Sequence, residues 1–176
     1  MSIDFNQRTA YLREIGRAAR KKSSIGGNEL GVLSKVVNIY SDGVRLSATI
    51  WHPDRATASD RPAILLCHGW GGIRDHLDSD YAPKFAAEGF ICLTFDYRSW
   101  GDSDSIVLPN DGMPQAYDSM TVDNSIVNMN CKIMKKVIDP EWQLRDIQTC
   151  ITYLRSVDGV DPTKIGMFQF QMYQTV

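Results

Sequence analysis

Histidine is scarce in this chain: His52, His68 and His76 are the only three. Cysteine is limited to Cys67, Cys92, Cys131 and Cys150, with no C-x-x-C pair among them. That spacing offers neither a zinc site nor a disulfide framework. Cys67 and Cys92 fall inside apolar, strand-like runs and Cys150 on a helix face, so buried free thiols are expected. Charge of one sign is lacking as well: 19 Lys and Arg stand against 21 Asp and Glu, a formal −2. Such a balance gives no electrostatic case for nucleic acid or an anionic membrane surface. No apolar run approaches the roughly 18 residues of a membrane span. The amino terminus, MSIDFNQRT, lacks the charged-then-apolar layout of a signal peptide, and a cytoplasmic location is expected. Internal repeats and low-complexity tracts are missing too.

What is present is a 176-residue chain, 43% hydrophobic, enough for one domain with a real core. Its organising stretch runs from Ala63 to Asp104. Ala63 to Cys67 is a short unbroken apolar run, the pattern of a strand buried on both faces of a parallel sheet. It stops at His68-Gly69-Trp70-Gly71-Gly72, where three glycines permit a tight turn and close approach of a ligand to backbone N–H groups. Asp78, Ser79 and Asp80 then offer N-cap oxygens for a helix whose apolar stripe is Tyr81, Phe85 and Ala86, with Gly89 as its stop. Phe90 to Phe95 reads as a second buried strand, closed by the polar loop Asp96 to Asp104. This is a βαβ unit whose glycine turn sits at the carboxyl end of its first strand, the end where open α/β sheets bind ligands.

Residues 5–22 carry Leu12, Ile15 and Ala19 at helical spacing, with basic residues at the carboxyl end that suit the helix dipole. Ser23 to Asn28 reads as a joint, so residues 1–28 form an extension and linker and 29–176 the domain. Val32–Tyr40 and Val44–Trp51 read as strands joined by Ser41-Asp42-Gly43, a hairpin turn signal. Val44, Leu46, Ala48 and Ile50 alternate, which predicts burial of one face only and a place near a sheet edge. From about 105 to 140 the composition turns polar without period, as in an insertion on the substrate side. Asp139-Pro140 precedes a helix with Leu144, Ile147, Ile151 and Leu154 at helical spacing. Val160-Asp161-Pro162-Thr163 reads as a turn and Ile165 as the start of a further strand.

Two hairpin strands followed by strand, helix, strand, helix, strand resembles the first half of the α/β-hydrolase fold: an antiparallel hairpin leading into a parallel sheet with helices on both faces. The motifs agree with that order. HGWGG resembles the oxyanion turn of the superfamily, and DYRSWGDSD is similar to its Asp-x-Arg-Gly-x-Gly-x-Ser loop, with Ser99 where glycine is usual. VDGVDPTKIGMF resembles the approach to the nucleophile elbow, where G-x-S-x-G should follow. The pattern resembles that of dienelactone-hydrolase-like and X-prolyl-dipeptidyl-peptidase-like serine hydrolases, including relatives in fungal polyketide pathways. The resemblance covers roughly Val32 to Phe168. It implies serine-type hydrolysis or acyl transfer on a small-molecule ester, lactone or amide, with no metal or organic cofactor.

The departure from the family is as informative. The elbow positions are taken by Gln169, Gln171 and Tyr173, so Gln171 stands at the nucleophile position. A glutamine amide has no hydroxyl or thiol that a base could activate. In this superfamily the acid and the histidine follow the nucleophile in chain order, and the chain given ends at Val176, so it reads as carboxyl-terminally truncated and inactive. What remains is the oxyanion side. The resemblance assigns Trp70 and Met172 as backbone donors and His68, Gly69, Gly71 and Gly72 as the structural turn. The Trp70 indole is also expected to form a lid over the sheet. His52 reads as a loop residue and Ser103 as the loop serine of the family pattern. His76, among Asp75, Asp78 and Asp80, reads as part of an acidic helix start rather than a metal cluster. The competing function is a non-catalytic small-molecule or partner-binding relic, with self-association through an exposed sheet edge. A dinucleotide-binding fold would suit Asp96 near the end of the second strand, but G-x-G-x-x-G begun at Gly69 needs glycine where Arg74 stands.

Overall fold

The computed structural model describes residues 30–54, 60–109 and 130–170. The expected helix over 5–22, the joint that follows it and the elbow positions Gln171, Met172 and Tyr173 lie outside these residues. In chain order the elements are β1 (Val32–Ser41), β2 (Val44–Pro53), β3 (Arg61–His68), α1 (Arg74–Asp80), α2 (Ala82–Ala87), β4 (Ile91–Phe95), β5 (Ile106–Pro109), β6 (Cys131–Met134), α3 (Pro140–Arg155) and β7 (Val160–Phe170). The main sheet has the order β1-β2-β4-β3-β7. The β1/β2 and β2/β4 pairs are antiparallel, whereas β4/β3 and β3/β7 are parallel. β5 and β6 pair antiparallel in a separate ribbon at the base of the expected insertion, of which 110–129 lie outside the described residues.

The hairpin forms where its turn residues require it. Asp42 and Gly43 both have positive φ, 48° and 79°, as a two-residue turn matching the twist of its strands demands. β3 is buried on both faces, as its unbroken apolar run implies. Ala63, Leu65 and Cys67 join Leu46, Ala48, Leu93, Phe95, Cys150 and Leu154 on the α3 side. Leu66 joins Trp51, Leu77, Ala82, Ala86 and Cys92 on the other. Each such aliphatic side chain removed from water contributes about 1.5–3 kcal/mol, and β3 is the strand that feeds both layers.

Three expectations are corrected. β2 does lie near a sheet edge, with only β1 outside it, but Ser47, Thr49 and Trp51 are buried on the face predicted to be wet. These residues are polar because they bond to α1: Thr49 Oγ1 and Trp51 Nε1 donate to the Asp78 carboxylate at 3.0 Å each. That same pull removes Asp78 from capping. Asp78, Ser79 and Asp80 lie inside α1, whose N-cap is Ile73 without a side-chain bond, and the single expected helix is two short ones. In α3 the N-cap is Asp139, its Oδ1 accepting from the Glu141 and Trp142 N–H groups, but Leu144 is 53% exposed. The buried line is Asp146, Cys150 and Leu154, because Arg98 draws Asp146 into the core.

The predicted turn at 160–163 is an irregularity within β7. Arg61 pairs with Val160 and Ala63 with Ile165, so β7 spends three more residues than β3 over that interval. The excess is tied off locally, Asp161 Oδ1 accepting from the Thr163 N–H at 3.0 Å. β7 is the outermost strand on its side among the described residues, and Met167 beside that edge is 55% exposed. The stop at Gly89 is as expected, with φ 103° and its N–H bonded to Ala86 O.

Candidate active site

β3 ends at His68, and the next four residues close a turn in which the Gly72 N–H donates to Gly69 O at 3.0 Å. Gly71, third in that turn, has φ 76°, a value glycine adopts without strain. Space at Gly72 is tight: a Cβ there would stand 3.2 Å from both His68 Cβ and Gly69 O. The Trp70 N–H makes no hydrogen bond among the described residues. Its indole is 77% exposed, so it is no lid over the sheet; the second position of a tight turn projects outward.

His68, buried at the start of the turn, contacts it through its ring. Its Nδ1 lies 3.1 Å from Gly69 O and so carries the proton, while Nε2 faces the Tyr97 N–H at 3.5 Å as acceptor. Burial pushes its pKa down, which keeps the ring neutral. Asp96 Oδ1 is 3.9 Å from Nε2, beyond hydrogen-bond reach.

The loop after β4 lies beside this turn. Asp96 is buried, and its carboxylate accepts from the Arg74 N–H at 2.8 Å and from the Asp102 N–H at 3.0 Å. It is therefore saturated by backbone donors, and no ribose is needed to explain it. Burial raises its pKa despite those bonds. Gly101, with φ 49°, leaves no room for a side chain, since a Cβ would land on the Asp96 carboxylate. Ser99 has φ 67°, which explains why the family pattern favours glycine there. Here its hydroxyl accepts from the Val137 N–H at 3.1 Å. Ser103 Oγ donates to Asp96 O at 2.6 Å and accepts from the Ser47 N–H at 2.9 Å, a loop fastening.

Three charged residues matter more than their sequence context suggested. Asp78 accepts from Thr49, Trp51 and Thr94 and lies 3.3 Å from Arg74 Nε; burial pushes its pKa up. Arg74, buried, also donates to Ser47 Oγ. Asp146 takes three bonds from Arg98, and the signal for it was a lone carboxylate in line with Cys150 and Leu154. Asp75 and His76 belong to α1, but Asp78 turns inward, away from any shared cluster. His52 is half-buried, with its pKa lowered by burial. The Cys67 and Cys92 thiols are buried, their pKa pushed up to about 12, and are poor nucleophiles; Cys131 is exposed.

Residues 42–121 match the family described as X-Pro dipeptidyl-peptidase (S15 family). The chain is 32% identical over 129 residues to the quorum-quenching protein AidA of Acinetobacter baumannii, covering 73% of this chain and 33% of that protein. It superposes on the α/β hydrolase GrgF of Penicillium sp. sh18 with a TM-score of 0.54 at 20% identity, over 78% of this chain and 37% of the other. A dienelactone hydrolase-like promiscuous phosphotriesterase, P91, from metagenomic libraries gives 0.52 at 17% identity, over 80% and 49%. The chain belongs to the α/β-hydrolase superfamily. It spans about a third of the length of the curated relatives it matches. Within the α/β-hydrolase sheet, the parallel register sets Phe170 level with His68. Of the positions expected to form the elbow, Gln169 pairs with Cys67 within β7, and those after Phe170 lie outside the residues described. Among the described residues no group of three or more His, Cys, Asp or Glu is placed to hold a metal ion, and no helix is long and apolar enough to cross a membrane.

Proposed function

We propose that this chain carries the oxyanion side of a serine-type α/β hydrolase acting by hydrolysis or acyl transfer on an ester, lactone or amide, with the Trp70 N–H as one donor. The observation that carries the reading is the Gly69–Gly72 turn at the carboxyl end of β3. It leaves the Trp70 N–H without a partner among the described residues, beside the strand end where a nucleophile would follow. The second donor in this reading is the N–H of Met172. Gln171, at the nucleophile position, cannot attack a carbonyl, so a chain of these 176 residues performs no acyl chemistry by itself.

The test has two arms. The purified 176-residue chain, exposed to a fluorophosphonate probe and an ester panel, is expected to show neither serine labelling nor turnover; stoichiometric labelling would overturn that part. A chimera with G-x-S-x-G at 169–173 and a relative's carboxyl-terminal part is expected to turn over esters. In it Trp70→Pro, which deletes the N–H, should cost on the order of 10²–10³-fold in rate. An unchanged rate in a folded proline variant removes Trp70 from the donor role.

A further inference from the structure

We infer that Asp96 is the positioning residue of the oxyanion turn, acting through the backbone N–H of Arg74; this rests on the reading of Trp70 as a donor. The turn has two ends. Its first is His68, held in β3 between β4 and β7. Its second is Arg74, the first residue of α1, whose N–H donates to Asp96 Oδ1 at 2.8 Å. Only residues 69–73 lie between these anchors, and the Gly72-to-Gly69 bond closes the turn further. Fixing both ends of five residues leaves the Trp70 N–H little freedom of direction. α1 alone does not fix the second end, because its N-cap Ile73 offers no side-chain acceptor.

Asp96 is itself immobilised from four sides. Its N–H donates to Ser47 O at 2.9 Å, its C=O accepts from Ser103 Oγ at 2.6 Å, and Oδ2 accepts from the Asp102 N–H at 3.0 Å. Gly101 presses against the carboxylate with no side chain between. A carboxylate fixed this way, bonded to an N–H that leads out of the turn, transmits the position of β4 to the Trp70 amide. Proximity of the β4 loop to the turn is a property of the fold; a charge-assisted bond at the turn exit is a specific device. The charged and titratable groups facing Asp96 are His68 from β3, Arg74 from α1 and Asp102 from its own loop.

Two variants isolate the bond. Arg74→Ala removes the side chain and keeps the N–H. Arg74→Pro removes both, and proline is tolerated at the first helical position after an extended residue such as Ile73. Comparing proline with alanine, exchange of the Gly72 amide should quicken about tenfold or more, as loss of one charge-assisted bond predicts. The Trp70 and Gly71 amide signals should shift while those of Leu93 and Cys150 stay. Identical turn signals in the two variants would overturn the proposal. So would loss of the whole fold in the proline variant alone, since Asp96 would then serve the domain rather than the turn.

A titration of the unaltered chain needs no variant. The Asp96 carboxyl carbon and the Trp70 and Gly72 amides are expected to move with one midpoint, separate from the His68 ring signals. Silent amides while Asp96 protonates would refute the coupling. In the chimera described above, proline against alanine at 74 should lower kcat with KM unchanged. A chimera with no turnover at all would sink the hydrolase reading and leave the amide result standing.

Discussion

Replacing Asp146 by alanine should cost this protein a large share of its stability. The side chain is fully buried on α3 and accepts three hydrogen bonds from one residue: the Arg98 N–H to Oδ2 at 3.0 Å, Nε to Oδ1 at 3.0 Å and Nη2 to Oδ1 at 2.6 Å. Removing it leaves a buried guanidinium. Ser41 Oγ at 2.9 Å and the half-exposed Asp42 at 3.4 Å are its other polar contacts, and neither replaces the two charge-assisted bonds to Oδ1. Breaking one side of a buried pair typically costs about 3–5 kcal/mol, against about 5–15 kcal/mol for a whole domain. Arg98→Met alone strands the carboxylate and should cost a similar amount. The double variant Arg98→Met, Asp146→Leu removes both charges and should lose far less than the sum, because apolar replacement of a buried pair is often neutral. Urea unfolding followed by near-ultraviolet circular dichroism measures all three. A loss below about 1 kcal/mol for Asp146→Ala, or strict additivity in the double variant, would refute the claim that this pair sets the face on which α3 packs.

Burial raises the pKa of Asp78. A carboxyl raised in the folded state binds its proton more tightly there, so stability increases as pH falls from its folded value toward the ordinary value of about 4. The stability of the native chain minus that of Asp78→Asn should therefore grow on acidification through this window; a flat difference in paired unfolding curves would contradict it. Gly101→Ala, with φ 49° and a Cβ directed at Asp96, should destabilise by about 2 kcal/mol or more in thermal unfolding. Ser99→Gly relieves a positive φ but forfeits the bond from the Val137 N–H, and the two effects should leave it within about 1 kcal/mol of the parent. Met167→Lys on β7, the outermost strand on its side among the described residues, should raise the monomer fraction in light scattering, as charge at a sheet edge opposes self-association; an unchanged distribution would locate any association elsewhere.

Local patterns alone determined the hairpin, the βαβ unit and the glycine turn. An Asp-Gly pair, an unbroken apolar run and an HGWGG stop depend on neighbours in sequence, so their structure is written where they stand. The order of these elements, together with the HGWGG, DYRSWGDSD and VDGVDPTKIGMF motifs, was enough to recognise the superfamily. The sequence also places a glutamine at position 171. Tertiary structure decided where the charges went. Asp78 read as a cap and Leu144 as a core residue because capping and helical period are local rules. Neither rule can register that Thr49, Trp51 and Thr94 await an acceptor beneath α1, or that Arg98 awaits one beneath α3. A buried polar group must find its partner wherever the chain brings one, and that demand outweighs the preference of a single side chain for one helical face. The same reason hid the bond from Arg74 to Asp96: a backbone N–H has no signature in sequence, and its acceptor lies 22 residues away.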